Sequence, residues 1–145
     1  MSQDSLGLLI KKLELRSDRL ASQFLQELGL STSQFRVLRW LFKQEGNPRQ
    51  HDVEQALSLS NPTVTGILHN LEKHGWVKRF PHPEDKRSKQ LVLTDKATRQ
   101  QQALYQISQD VEEELTRDLS QEEFQQLRQL IQKILKSSDK KSIDS

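Results

Sequence analysis

The sequence predicts a mainly α-helical chain with one small β-hairpin. Two observations carry this. Apolar residues recur at three- and four-residue spacing through most of the 145 residues, punctuated by helix caps. Between Trp76 and Thr94 the pattern changes to two β-compatible runs around a Pro-rich, charged tip.

The first helix is read from Leu6, Leu9, Leu13, Leu20, Phe24 and Leu28 and ends at Gly29. Arg16 and Ser17 interrupt its apolar stripe. A second helix starts at Ser31, which forms a capping box with Gln34, while Leu30 and Phe35 are spaced as a hydrophobic staple. Phe35, Leu38, Leu41 and Phe42 give this helix one apolar face, and Val37 with Trp40 a second. It ends at Glu45-Gly46-Asn47-Pro48. A short helix follows over Gln50 to Leu57, with Val53, Ala56 and Leu57 inward. The next has Ser60 as N-cap, Pro62 in its first turn, where the missing N–H costs nothing, and Gly75 at its end. Val64, Ile67, Leu68 and Leu71 are its buried stripe. Two short helices joined by Ser58-Leu59-Ser60, the second longer and amphipathic, form a helix-turn-helix.

Trp76 to Phe80 and Gln90 to Thr94 are the arms of the hairpin, with Pro81 to Lys89 as its tip. A hairpin directly after a helix-turn-helix is a wing. Thr94 caps a long helix carrying Leu104, Ile107, Val111 and Leu115. Ser120 with Glu123 opens a last helix through Phe124, Leu127, Ile131 and Ile134. Residues 137–145 are polar and charged and are expected to be a disordered tail.

A net charge of +2 is too small to announce nucleic acid, but its distribution is uneven. Ser60 to Arg99 holds eight basic and four acidic residues, whereas Gln100 to Leu135 holds three and seven. The absence of cysteine excludes disulfides, thiolate metal sites and a redox-sensing thiol. With no secretory signal or apolar run of bilayer length, no membrane partner and a cytoplasmic location are expected. The histidines His51, His69, His74 and His82 include no pair at the spacing that shares a helix face, so neither a metal nor another cofactor is expected. No phosphate loop or nucleophile elbow appears, and the glutamate runs read as solvated faces, so no enzyme activity is expected.

If the helix-turn-helix meets a duplex, its second helix offers Ser60, Asn61, Pro62, Thr63, Thr65, Gly66, His69 and Asn70 to the major groove. The wing gathers Lys78, Arg79, Lys86, Arg87 and Lys89, opposed by Glu84 and Asp85, and such a finger suits a minor groove lined by phosphates. The alternative is a winged-helix module whose same face contacts a protein.

The runs Leu57 to Ser60, Thr63 to Thr65, Leu71 to Arg79, Asp85 to Arg87 and Leu91 to Thr94 resemble the MarR family of bacterial regulators. The resemblance spans nearly the whole chain, and its most specific part is Asp85, Arg87, Leu93 and Thr94. It implies a homodimer on double-stranded DNA of near-palindromic sequence, acting as a repressor released by a small ligand. Residues 31–94 would then be the winged DNA-binding domain, and residues 1–30 with 95–136 the helical dimerisation region. Arg87 matches the wing arginine that enters the minor groove, and Asp85 the acid that positions it. Pro62, Thr63 and Gly66 match groove-facing positions, although several relatives carry arginine where this chain has Gly66. Arg49 stands where a capping Ser or Thr is common and could meet a phosphate. Ala97 replaces a usual glycine. A small aromatic or anionic ligand is expected near Arg16, Ser17, Arg39 and Trp40, where a cation beside a ring would suit an organic anion. The plainer reading of Arg16 is a side chain snorkelling at a helix crossing.

Overall fold

The computed structural model describes residues 3–85 and 87–144, with side chains as far as Ser137. The wing residue Lys86 and the terminal Ser145 therefore lie outside the described residues. The chain forms two compact units, Met1–Val111 and Glu112–Ser145.

In the first unit, α1 (Leu6–Leu25) is capped by Ser5, whose side chain accepts from the Leu8 N–H at 3.1 Å. Its last turn tightens into a 3-10 turn, Gln26–Leu28, and the chain leaves through Gly29 at φ 66°, a left-handed conformation that favours glycine. Of the predicted stripe, Leu20 and Leu28 pack against the core without being fully buried. The buried pair is Ala21 and Leu25, while Phe24 is exposed, as are Leu6, Leu9 and Leu13 in the first half of the helix. Leu8, Ile10 and Leu15 are exposed as well. A second apolar face on one helix blurs a periodicity read as a single stripe.

α2 (Thr32–Phe42) opens on the expected capping box, with Gln34 N–H to Ser31 Oγ at 3.1 Å and Ser31 N–H to Gln34 Oε1 at 2.9 Å. Leu30 and Phe35 are both buried beside it. α3 (Gln50–Leu57) and α4 (Asn61–Lys73) are joined through Ser58, whose φ of 53° makes it the one non-glycine residue described in the left-handed region. Val53 is buried in α3, but Ala56, expected inward, is exposed. An eight-residue helix can put only its central row against α2 and α4.

Val64, Ile67, Leu68 and Leu71 anchor α4 in the core, each contributing about 1.5–3 kcal/mol by burial. The helix closes through Gly75 at φ 80°, with the Trp76 N–H donating to the Leu71 carbonyl at 2.9 Å. The hairpin follows as β1 (Val77–Pro81) antiparallel to β2 (Lys89–Leu93), in register Val77 to Leu93 and Pro81 to Lys89. Both arms sit one residue from their expected bounds. Trp76 is drawn into the core, 2% exposed, before pairing begins, and Thr94 Oγ1 accepts from the Ala97 N–H at 3.2 Å to cap the next helix.

A third segment joins the hairpin. The Leu91 N–H donates to the Pro48 carbonyl at 2.8 Å, and Arg49 bridges to Gln90, so the loop before α3 lies along the free edge of β2. α5 (Asp95–Leu115) contributes Ala97, Leu104 and Val111 to the same core. This core thus draws on α1 and α5 as well as on residues 31–94.

In the second unit, α6 (Gln121–Asp144) begins at the Ser120–Glu123 capping box. Bonds from the Ser120 backbone and then its side chain hold the Glu123 carboxyl below its ordinary range. Leu127, Leu130, Ile131, Ile134 and Leu135 are exposed along the helix. The backbone stays helical to Asp144, past Ser137 where a disordered tail was expected; once nucleated, a helix gains one hydrogen bond per added residue. Among the described residues no helix is long and apolar enough to cross a membrane.

Candidate nucleic-acid interface

The inner row of α4 is fully committed to the core, which turns every residue of the opposite face outward. Asn61, Pro62, Thr63, Thr65, Gly66, His69 and Asn70 are all exposed, as the sequence periodicity requires. Ser60 instead serves the helix start: its Oγ accepts from the Thr63 N–H at 3.4 Å and donates to Thr63 Oγ1 at 2.8 Å. Nothing lies within 4 Å of where a Cβ on Gly66 would stand, so this point of the face is open space.

Two exposed α4 side chains are held by α3. Asn61 Nδ2 donates to Glu54 Oε2 at 2.9 Å, and Gln50 Nε2 donates to Thr65 Oγ1 at 2.8 Å. Gln50 Nε2 also reaches Glu54 Oε2 at 3.3 Å. An open cleft of about 490 Å³ runs from this network to the wing, lined by Gln50, Glu54, Asn61 and Thr65 on one side and Arg79, Arg87 and Lys89 on the other. The polar face of α4 and the cations of the wing therefore share one surface.

The wing cations are not equivalent. Arg79 Nε pairs with Glu72 Oε2 of α4 at 2.7 Å and is only 20% exposed. Lys78, Arg87 and Lys89 are exposed and form no ion pair among the described residues. Asp85 accepts from the Arg87 backbone N–H at 3.0 Å, and the Ser88 N–H donates to the Asp85 carbonyl at 3.1 Å. The acid thus shapes the tip through the backbone. At the wing base His82 Nδ1 accepts from the Glu84 N–H at 3.1 Å. The Arg49 guanidinium lies against the same ring, with Nη2 at 3.0 Å from His82 Nε2. The Arg49 N–H is satisfied by Asp52 Oδ2 at 2.8 Å, so α3 is capped from inside its own first turn.

Comparison with known proteins settles the lineage. Residues 30–89 match the model of the MarR family. The chain is 34% identical to the multiple antibiotic resistance protein MarR of Salmonella typhimurium over 131 residues, 90% of each chain, and 31% identical to that of Escherichia coli over the same share. The chain belongs to the MarR family. Among solved structures it is similar to an E. coli MarR variant complexed with operator DNA (TM-score 0.82, 31% identity, covering 90% of this chain and 93% of that one). It is also similar to the Staphylococcus aureus MepR–DNA complex (TM-score 0.83, 28% identity, covering 93% and 99%).

Within this MarR-family chain, two of the four residues expected around a ligand lie on α1 and two on α2. Arg16 is exposed on α1 and Ser17 half-buried, while Arg39 lies over the Phe35 ring at 5.7 Å. Trp40 lines a separate open cleft with Glu45, Asp52 and Ala56, whose lining includes none of the other three. The charged pair between α1 and α2 is Asp18 with Arg36, residues the sequence reading passed over. It also passed over Gln50 and Glu54, because a donor fifteen residues from its acceptor leaves no mark in periodicity. The histidines are dispersed: His51 stands 3.9 Å from Glu54, His74 bonds the Asn70 carbonyl at 2.8 Å, and His82 faces Arg49.

Proposed function

We propose that this MarR-family chain is a homodimeric, sequence-specific DNA-binding regulator that represses transcription by occupying a near-palindromic operator. One observation carries the reading: the exposed polar face of α4 and the exposed wing cations Arg87 and Lys89 open onto one cleft. α4 would lie in the major groove, with Asn61, Thr63, Thr65, His69 and Asn70 toward base edges. Lys78, Arg87 and Lys89 would neutralise phosphates and enter the adjacent minor groove. The related chains solved with DNA support this reading. Arg79 contributes less, because Glu72 already holds it. Arg49, turned to His82, supports the wing base before it meets a phosphate.

The homodimer accounts for the apolar side chains that one chain leaves in water, Leu6, Leu9 and Leu13 on α1 and Leu130, Ile131 and Ile134 on α6. A symmetric dimer would present its two recognition helices about 34 Å apart, one turn of duplex. Release by a small aromatic or anionic ligand belongs to the same proposal.

The test is a gel shift with duplex from upstream of the coding sequence, titrated with salt. A specific complex is expected whose affinity falls by about 10³–10⁵ between 50 and 200 mM salt if six to ten phosphates are neutralised. Equal, weak binding to all duplexes would favour a protein-interaction module instead.

A further inference from the structure

A carboxylate in the middle of a surface meant for a polyanion needs a reason. Glu54 is that carboxylate: its side chain is 16% exposed, it lines the cleft shared by α4 and the wing, and its own helix is otherwise packed by Val53. Its role follows from what it bonds. Ionised, Glu54 only accepts, so the end of the Asn61 side chain that faces Oε2 at 2.9 Å must be the NH₂. The two ends of that amide branch from one carbon, so Oδ1 is the end Glu54 leaves free. An Asn on a bare helix surface could flip and offer a donor or an acceptor with equal ease. Here the flip would set a carbonyl oxygen against a carboxylate. Gln50, which donates to both Glu54 and Thr65, ties the same carboxylate to the next turn of α4.

We propose that Glu54 is a specificity-determining positioning residue. It locks Asn61 so that Oδ1 accepts from an exocyclic amino group in the major groove, adenine N6 or cytosine N4, and disfavours the acceptor edges of thymine and guanine at that position. The inference rests on the DNA-binding reading above. Its cost is electrostatic: a negative charge near phosphates weakens binding to every duplex alike, so the residue trades affinity for discrimination.

The experiment is selection from a randomised duplex pool by the full-length wild type, Glu54→Gln, Asn61→Ala and the double variant, with dissociation constants then measured on selected and single-base-changed duplexes. Glutamine keeps the shape, but its amide bonds Asn61 in either orientation. Glu54→Gln is expected to lose, by about tenfold, the preference for an amino-bearing base at one position in each half-site. The remaining motif should persist, with binding to non-specific duplex strengthened by about two- to threefold. In the Asn61→Ala background the same change should leave base preference untouched. A full wild-type motif from Glu54→Gln would overturn the proposal, as would an equal loss in the Asn61→Ala background. A wild type that enriches no motif at all would instead overturn the DNA-binding reading itself, and this inference with it.

Discussion

On α4, Asn61 and Thr65 are already bonded to Glu54 and Gln50 of α3, whereas on the wing Lys78, Arg87 and Lys89 form no ion pair among the described residues. The α4 side chains are short, fixed, and carried by a helix whose opposite face is wholly buried. The wing side chains are long and carry rotamer freedom worth about 2 kcal/mol each. A fixed polar group loses little entropy on meeting a partner, which suits the directional bonding that distinguishes bases. A mobile cation suits phosphates, whose attraction tolerates many geometries. Under the proposed function, one surface thus combines a rigid reader with an adaptable clamp. In the same reading, the open space at Gly66 leaves more of the affinity to the wing.

The comparison breaks first at the core behind the reader. Leu68→Ala removes a side chain with no exposed area and should cost about 2–5 kcal/mol in chemical denaturation. A loss below 1 kcal/mol would mean that α4 is not held from behind. Next in size is Arg87→Ala, which should weaken operator binding by about tenfold and lower the salt slope by about one. Its melting temperature should not move, and unchanged affinity would remove Arg87 from the clamp. Smallest is Glu72→Gln, which releases Arg79. A surface pair of this kind contributes about 0.2–1 kcal/mol, so stability should fall within that range and operator affinity change by about twofold or less. A larger gain in affinity would show that Glu72 restrains a further wing cation.

What was legible in the sequence was local. Ser31 with Gln34, Ser60 with Pro62, and Ser120 with Glu123 announce helix starts because cap and partner lie three residues apart or closer. The α4 face was legible for the same reason, since Val64, Ile67, Leu68 and Leu71 fix by helical spacing what must point away from them. The basic wing was visible as composition, but which of its cations pairs with a carboxylate was not. Arg79 and Arg87 look alike in a sequence, and only the register of β1 against α4 brings Glu72 to one of them. Ala56 was assigned inward because an apolar residue at helical spacing is ambiguous in a helix of two turns. The Pro48–Leu91 bond joins segments more than forty residues apart and could not be anticipated from either.

That bond has a consequence for how crowded copies of this lobe behave. A two-strand hairpin has two edges, and an unpaired edge is a template on which other chains can zip up into aggregates. Here the β2 edge is occupied by the Pro48–Arg49 segment, and the Arg49 N–H, which faces away from β2, is already taken by Asp52 Oδ2. The other edge, β1, carries Pro81 at its end and the charged Lys78 and Arg79 within it. Both borders of the small sheet are therefore protected against recruitment, and crowded copies of this lobe should stay separate molecules.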